Sequence, residues 1–81
     1  MSGSTFHLGL MSRHAIREAH REHIPLALIV FAYSDPDSIR SSRHDELREI
    51  RTRWFGDEGI EVVVDTDDHR VVTVWRKGLK R

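Results

Sequence analysis

Apolar residues recur along this chain with more than one period. At about 100° per residue, Ala15, Ile16, Ala19 and His23 gather on one side of residues 13–23, and His14, Arg17 and Arg21 gather on the other. This predicts an amphipathic helix with a thin apolar stripe and a basic polar face. Ser12 stands before it with a hydroxyl able to satisfy a free backbone N–H. Ile24-Pro25 ends the helix, because a residue before proline avoids the helical region. Pro25 then suits the first turn of a second, largely buried helix over residues 25–33. Ser34-Asp35-Pro36-Asp37 is a strong turn signal.

Beyond that turn the period shortens. Residues 38–42 read as a short edge strand. Leu47, Ile50 and Trp54 fit a helical stripe, yet Ile50, Thr52 and Trp54 also alternate with Arg51, Arg53 and Phe55 as in a strand. Direct entry into a hairpin favours the strand, over residues 49–55. The clearest element is an antiparallel hairpin spanning residues 60–75, with turns at 56–59 and 66–69. Val62, Val63, Val64, Val71, Val72 and Val74 are β-branched and suit a pleated surface. Both parities of each strand are apolar, which predicts a central position with both faces largely covered. Strict alternation puts Val71, Thr73 and Trp75 on one face and Val72 and Val74 on the other. The predicted fold is α+β, two N-terminal helices packed on a four-stranded antiparallel sheet. Residues 1–11 form an N-terminal tail, 12–77 a single domain and 78–81 a basic C-terminal tail, with order ending at Gly78.

Composition narrows the function. At 81 residues the chain buries a modest core, to which dimerisation or a bound partner would add; a homodimer is one such arrangement. There is no cysteine, so disulfides and thiolate metal sites are excluded. No apolar run approaches the ~20 residues of a membrane span, and the first residues lack the features of a signal peptide. The expectation is a cytoplasmic protein without a membrane role. Thirteen basic and thirteen acidic side chains cancel, so a polyanion would be met by a local patch rather than a global field.

Four constellations could carry chemistry. His14, Arg17 and Arg21 share a helical face, and an imidazole with guanidinium groups suits metal-independent phosphodiester cleavage; the alternative is a solvated face whose arginines pair with Glu18 and Glu22. His20 and His23 are spaced to share a metal, with His14 and His7 nearby, but no carboxylate or thiolate joins them at motif spacing. No metal or cofactor is therefore expected. Arg48, Arg51 and Arg53 interleave with Trp54 and Phe55, a composition suited to single-stranded RNA; equally, Trp54 is core and the arginines solvate an outer face. Thr73, on the last strand, is either a good strand former or a hydroxyl for a scissile phosphate.

The order of these pieces is familiar. Ser12-Arg13-His14-Ala15 opens the helix and Arg21-Glu22-His23-Ile24 closes it. Asp35-Pro36-Asp37, Glu61-Val62-Val63-Val64-Asp65 and Val71-Val72-Thr73-Val74-Trp75-Arg76 follow. Over residues 12–76 this resembles a family of short bacterial and phage domains of unassigned function, similar in turn to the RelE-like (barnase–EndoU–colicin–RelE, or BECR) ribonucleases. The resemblance implies an endoribonuclease-like toxin domain cleaving RNA, either tRNA or ribosome-bound mRNA, without metal. It would be restrained by an antitoxin or immunity protein. His14 would be the general acid/base and Thr73 the phosphate-binding hydroxyl, with Arg17, Arg21, Arg51 and Arg53 holding RNA phosphates. The competing expectation is a non-catalytic RelE-like protein-interaction module, of phage origin in one version.

Overall fold

Ser12 begins helix α1 (Arg13–Arg21) as its N-cap: the Ser12 hydroxyl accepts from the Ala15 N–H at 3.0 Å. This is from a computed structural model, which describes residues 6–43 and 47–79. Helix α2 (Leu26–Ser34) follows, with Pro25 in extended backbone as its N-cap rather than in the first turn. Strands β1 (Ser38–Ser41), β2 (Arg48–Phe55), β3 (Glu58–Asp65) and β4 (Val71–Leu79) form one antiparallel sheet in the order β1-β2-β3-β4. The fold is therefore α+β, with two helices and a four-stranded antiparallel sheet.

The helices cover one face of the sheet. α1 packs on β4, and α2 on β3 and β2. Ala15 and Ala19 have side chains small enough to bring α1 close to the sheet, and with Ile29 and Ala32 they meet Ile60, Val62, Val64, Val71 and Val74. Among the described residues, no helix covers the opposite face. β3 is nonetheless buried along nearly its whole length, because residues of β2 and β4 close over it. β4 is an edge strand, so the expected central position belongs to β3 and not to the whole hairpin.

Within the hairpin and at the N-terminus the sequence reading needs three further corrections. Only Gly56 and Asp57 turn between β2 and β3, so β3 begins at Glu58; β4 runs on through Gly78, where the β3–β4 register slips by one residue. Order also begins earlier than Ser12. Residues 8–10 form a 3-10 turn, and Met11 is buried and bridges Val71 in parallel. The third correction concerns parity. A second register shift lies at Val63/Val64, where Val63 faces Thr73 and Val64 faces Val71, leaving Val72 as the bulged residue. A bulge inserts one residue and reverses the alternation beyond it. Val71 therefore joins the core beneath the helices, while Val72 is only partly buried.

The end of α1 is set by both local and distant groups. His23 has φ 55°, in the left-handed region. Its N–H donates to the His20 carbonyl, and the Ile24 N–H donates to the Ala19 carbonyl at 2.9 Å. This is the double hydrogen bond of a left-handed helix end, with apolar Ile24 buried just after it. His23 is thus the exposed cap residue rather than a member of the apolar stripe. From β4, Arg76 donates to the carbonyls of Glu22 at 3.0 Å and His23 at 2.7 Å, placing a cation at the negative end of the helix.

A non-glycine residue in the left-handed region costs about 1–2 kcal/mol. His23→Gly is expected to raise stability by about 1 kcal/mol, read as a higher urea midpoint. Arg76→Ala is expected to lower it by about 1–3 kcal/mol, the scale of a lost charged hydrogen bond. Equal midpoints for wild type and both variants would show that this helix end contributes nothing.

Candidate functional site

The surface with the most organised chemistry is the sheet face that the helices leave open. Its centre is Glu61, whose side chain is only 3% exposed. Thr52 Oγ1 donates to Glu61 Oε2 at 2.8 Å, and Trp75 Nε1 donates to Oε1 at 2.8 Å. Arg40 Nη1 reaches Oε2 at 3.1 Å and Lys77 Nζ stands 3.8 Å from it. A carboxylate on β3 is thereby held by β2, by both residues of β4 and by β1. Burial on its own pushes the Glu61 carboxyl upward. Donation from Thr52, Trp75 and Arg40, with the field of Lys77, outweighs that, and the net shift is below the ordinary carboxylate value.

Two tryptophans flank this centre, both half-buried. Trp54 lies across from Gly59, and its ring sits so close that a Cβ at Gly59 would be 3.0 Å from it. A side chain there would displace the indole. Trp75 lies across from Glu61 and Thr73 across from Val63. At one corner, Arg40, Ser41, Ser42, Arg43 and Ile50 line a depression of about 200 Å³. The face thus combines indole rings, hydroxyls and cations around one sealed carboxylate.

The residues singled out from sequence are dispersed. His14 is exposed on α1, and α1 packs on the covered side of β4. Thr73 shares the open face with Trp75, opposite the face on which α1 lies. Arg17 is exposed on α1; Arg21 bonds Glu18 and lies 3.6 Å from Glu22. That bond from Arg21 holds the Glu18 carboxyl below its usual range. The pairing of Arg21 with Glu18 and Glu22 is the solvated-face alternative.

Arg51 and Arg53 project to the helix side of β2 and anchor the end of α2. Arg51 Nη1 donates to the Tyr33 carbonyl at 2.6 Å, pairs with Glu49 at 2.7 Å and lies 4.8 Å over the Tyr33 ring. Arg53 Nη1 donates to both the carbonyl and Oδ2 of Asp35 at 2.7 Å, beside the rings of Phe31 and Phe55. Trp54 is on the opposite side, so the arginine–aromatic run is divided between two faces by its own alternation. Among the described residues, no three His, Asp or Glu side chains are grouped to hold a metal.

In the sequence Glu61 stands out only as the first residue of the strand motif Glu61-Val62-Val63-Val64-Asp65. The signal that could have found it is a lone carboxylate at an internal position of a valine strand, where burial demands donors from the neighbouring strands. Searched against protein families, curated proteins and solved structures, the chain finds no match, so its site is read from its own geometry.

The pH dependence has a definite sign. A carboxyl whose folded pKa lies below its unfolded value adds stability above the unfolded value, and loses it as pH falls through the folded one. The wild type is therefore expected to lose urea resistance as pH falls below the ordinary carboxylate range. Glu61→Gln should start lower at neutral pH and fall less steeply on acidification. Parallel curves for the two proteins would remove Glu61 as the source.

Proposed function

We propose that this protein engages single-stranded RNA across the open face of its sheet, as a RelE-like domain of the ribonuclease-toxin kind. One observation carries the reading: Trp54 and Trp75 flank β3 on a face that no helix covers among the described residues, together with Arg40, Lys77 and the hydroxyl of Thr73. Indole rings offer stacking platforms to unpaired bases, and cations beside them meet the phosphates. The depression beside Arg40 adds the guanidinium of Arg43 and two serines at the rim.

On this reading RNA binding does not depend on His14, which belongs to the other side of the sheet. Cleavage on this reading draws on Thr73, Arg40 and Lys77, with Glu61 holding the two cations in place. An antitoxin or immunity protein would then act by covering the face. The non-catalytic interaction module is the second reading, favoured by the apolar surface left on α2.

Fluorescence titration with an unstructured RNA oligonucleotide at low salt tests the proposal. Tryptophan emission should be quenched, and Trp54→Ala should weaken binding by about 1–3 kcal/mol, roughly ten- to hundredfold. Lys77→Gln should flatten the salt dependence, and His14→Ala should change neither. Incubating the RNA with wild type and Thr73→Val in EDTA reports on metal-independent cleavage. Unquenched emission at low salt, or full affinity in Trp54→Ala, would sink the RNA reading.

A further inference from the structure

Helix α2 poses a separate problem on the opposite side of the molecule. Its sequence, Leu-Ala-Leu-Ile-Val-Phe-Ala-Tyr-Ser, contains no charged residue, and a helix apolar on all sides is normally buried on all sides. Ile29, Ala32 and Tyr33 do face the core, yet Leu26 is 47% and Phe31 51% exposed. Between α2 and α1 runs an apolar groove rimmed by Leu8, Ile16 and Leu26 over a floor that includes Met11 and Ile29. Its volume of about 130 Å³ is well below the about 300–1,000 Å³ of a small-molecule pocket. It matches side chains presented by another protein.

The charge around the groove selects the partner. On α1, Arg13 and His20 adjoin Ile16 at helical spacing and Arg17 adjoins both of them in turn, and neither arginine forms an ion pair among the described residues. The acids of α1, Glu18 and Glu22, are turned away from Ile16 and engaged by Arg21. No acid lies on α2 or on the 3-10 turn to offset the basic flank. A second copy of this chain would bring two basic flanks together, which like-charge repulsion disfavours.

We propose that the α1–α2 groove is a docking site for an acidic amphipathic helix of a protein partner. The helix seats its apolar stripe against Leu8, Ile16 and Leu26, with its carboxylates facing Arg13, Arg17 and His20. This is the helix-in-groove mode of recognition. It uses the face opposite the RNA surface and stands independently of that reading.

The probe is a fluorescein-labelled synthetic peptide with leucines at helical spacing and glutamates elsewhere, followed by anisotropy. Its counterpart with lysine for every glutamate is the control. The glutamate peptide should bind the full chain and weaken with salt. The double variant Ile16→Asp, Leu26→Asp changes two exposed positions; circular dichroism and melting check its fold, and it should lose at least about tenfold in affinity. Arg13→Gln with Arg17→Gln should reduce affinity and flatten the salt dependence. Equal affinity for both peptides, or binding of neither, overturns the proposal. So does a dimer in light scattering that the double variant dissociates, which would make a second copy the occupant. Binding to phosphatidylglycerol vesicles but not to the peptide would assign the surface to a membrane instead.

Discussion

A charge can be buried in a protein only if other groups replace the water it loses, and Glu61 imposes that condition on the whole sheet. Its donors come from Thr52 on β2, Trp75 and Lys77 on β4, and Arg40 on β1. One carboxylate therefore ties the four strands together on the face that no helix protects. Among the described residues there is no second set of helices to cover that face. The polar cluster, roofed by two indoles and two long cationic side chains, takes the place of a covering layer. Removing any one donor exposes the cost of the others, because the carboxylate stays buried while losing part of its compensation.

The other side is held by a different device, the use of sheet residues as helix caps. Ser12 receives the Ala15 N–H and also donates its own hydroxyl to the Val72 carbonyl at 3.0 Å, so the start of α1 is fastened to β4. Arg76 of the same strand holds its end. Arg51 and Arg53 of β2 do the same for the end of α2, donating to the Tyr33 and Asp35 carbonyls. These arginines satisfy carbonyls that a helix end leaves without partners. Three cations that sequence composition offers to phosphate are thereby committed to architecture. The cations remaining for recognition stand elsewhere: Arg40, Arg43 and Lys77 toward the open face, and Arg13 and Arg17 beside the groove.

Two surfaces of contrasting character result. The open sheet face is aromatic, hydroxylated and cationic; the α1–α2 surface is apolar with a basic margin. They lie on opposite sides of the sheet. On the two readings proposed above, a ligand on one surface would leave the other accessible.

What residues near one another in sequence decide was legible from the sequence. The Ser12 cap, the helical stripe of Ala15 and Ala19, the strand at Arg48–Phe55 and the valine hairpin all follow from backbone preference and from side chains a few positions apart. Three outcomes belong to the tertiary structure alone. The bulge at Val72 reversed the facing of Val71, because strand register is settled by pairing across the sheet. The placement of α1 put His14 on one side and Thr73 on the other, because packing of the small stripe, not chemistry, chose the face. The gathering of Arg40, Thr52, Trp75 and Lys77 about Glu61 joined residues up to 37 positions apart in sequence. No local pattern encodes such a meeting, since only the strand order and register bring those donors within hydrogen-bonding distance.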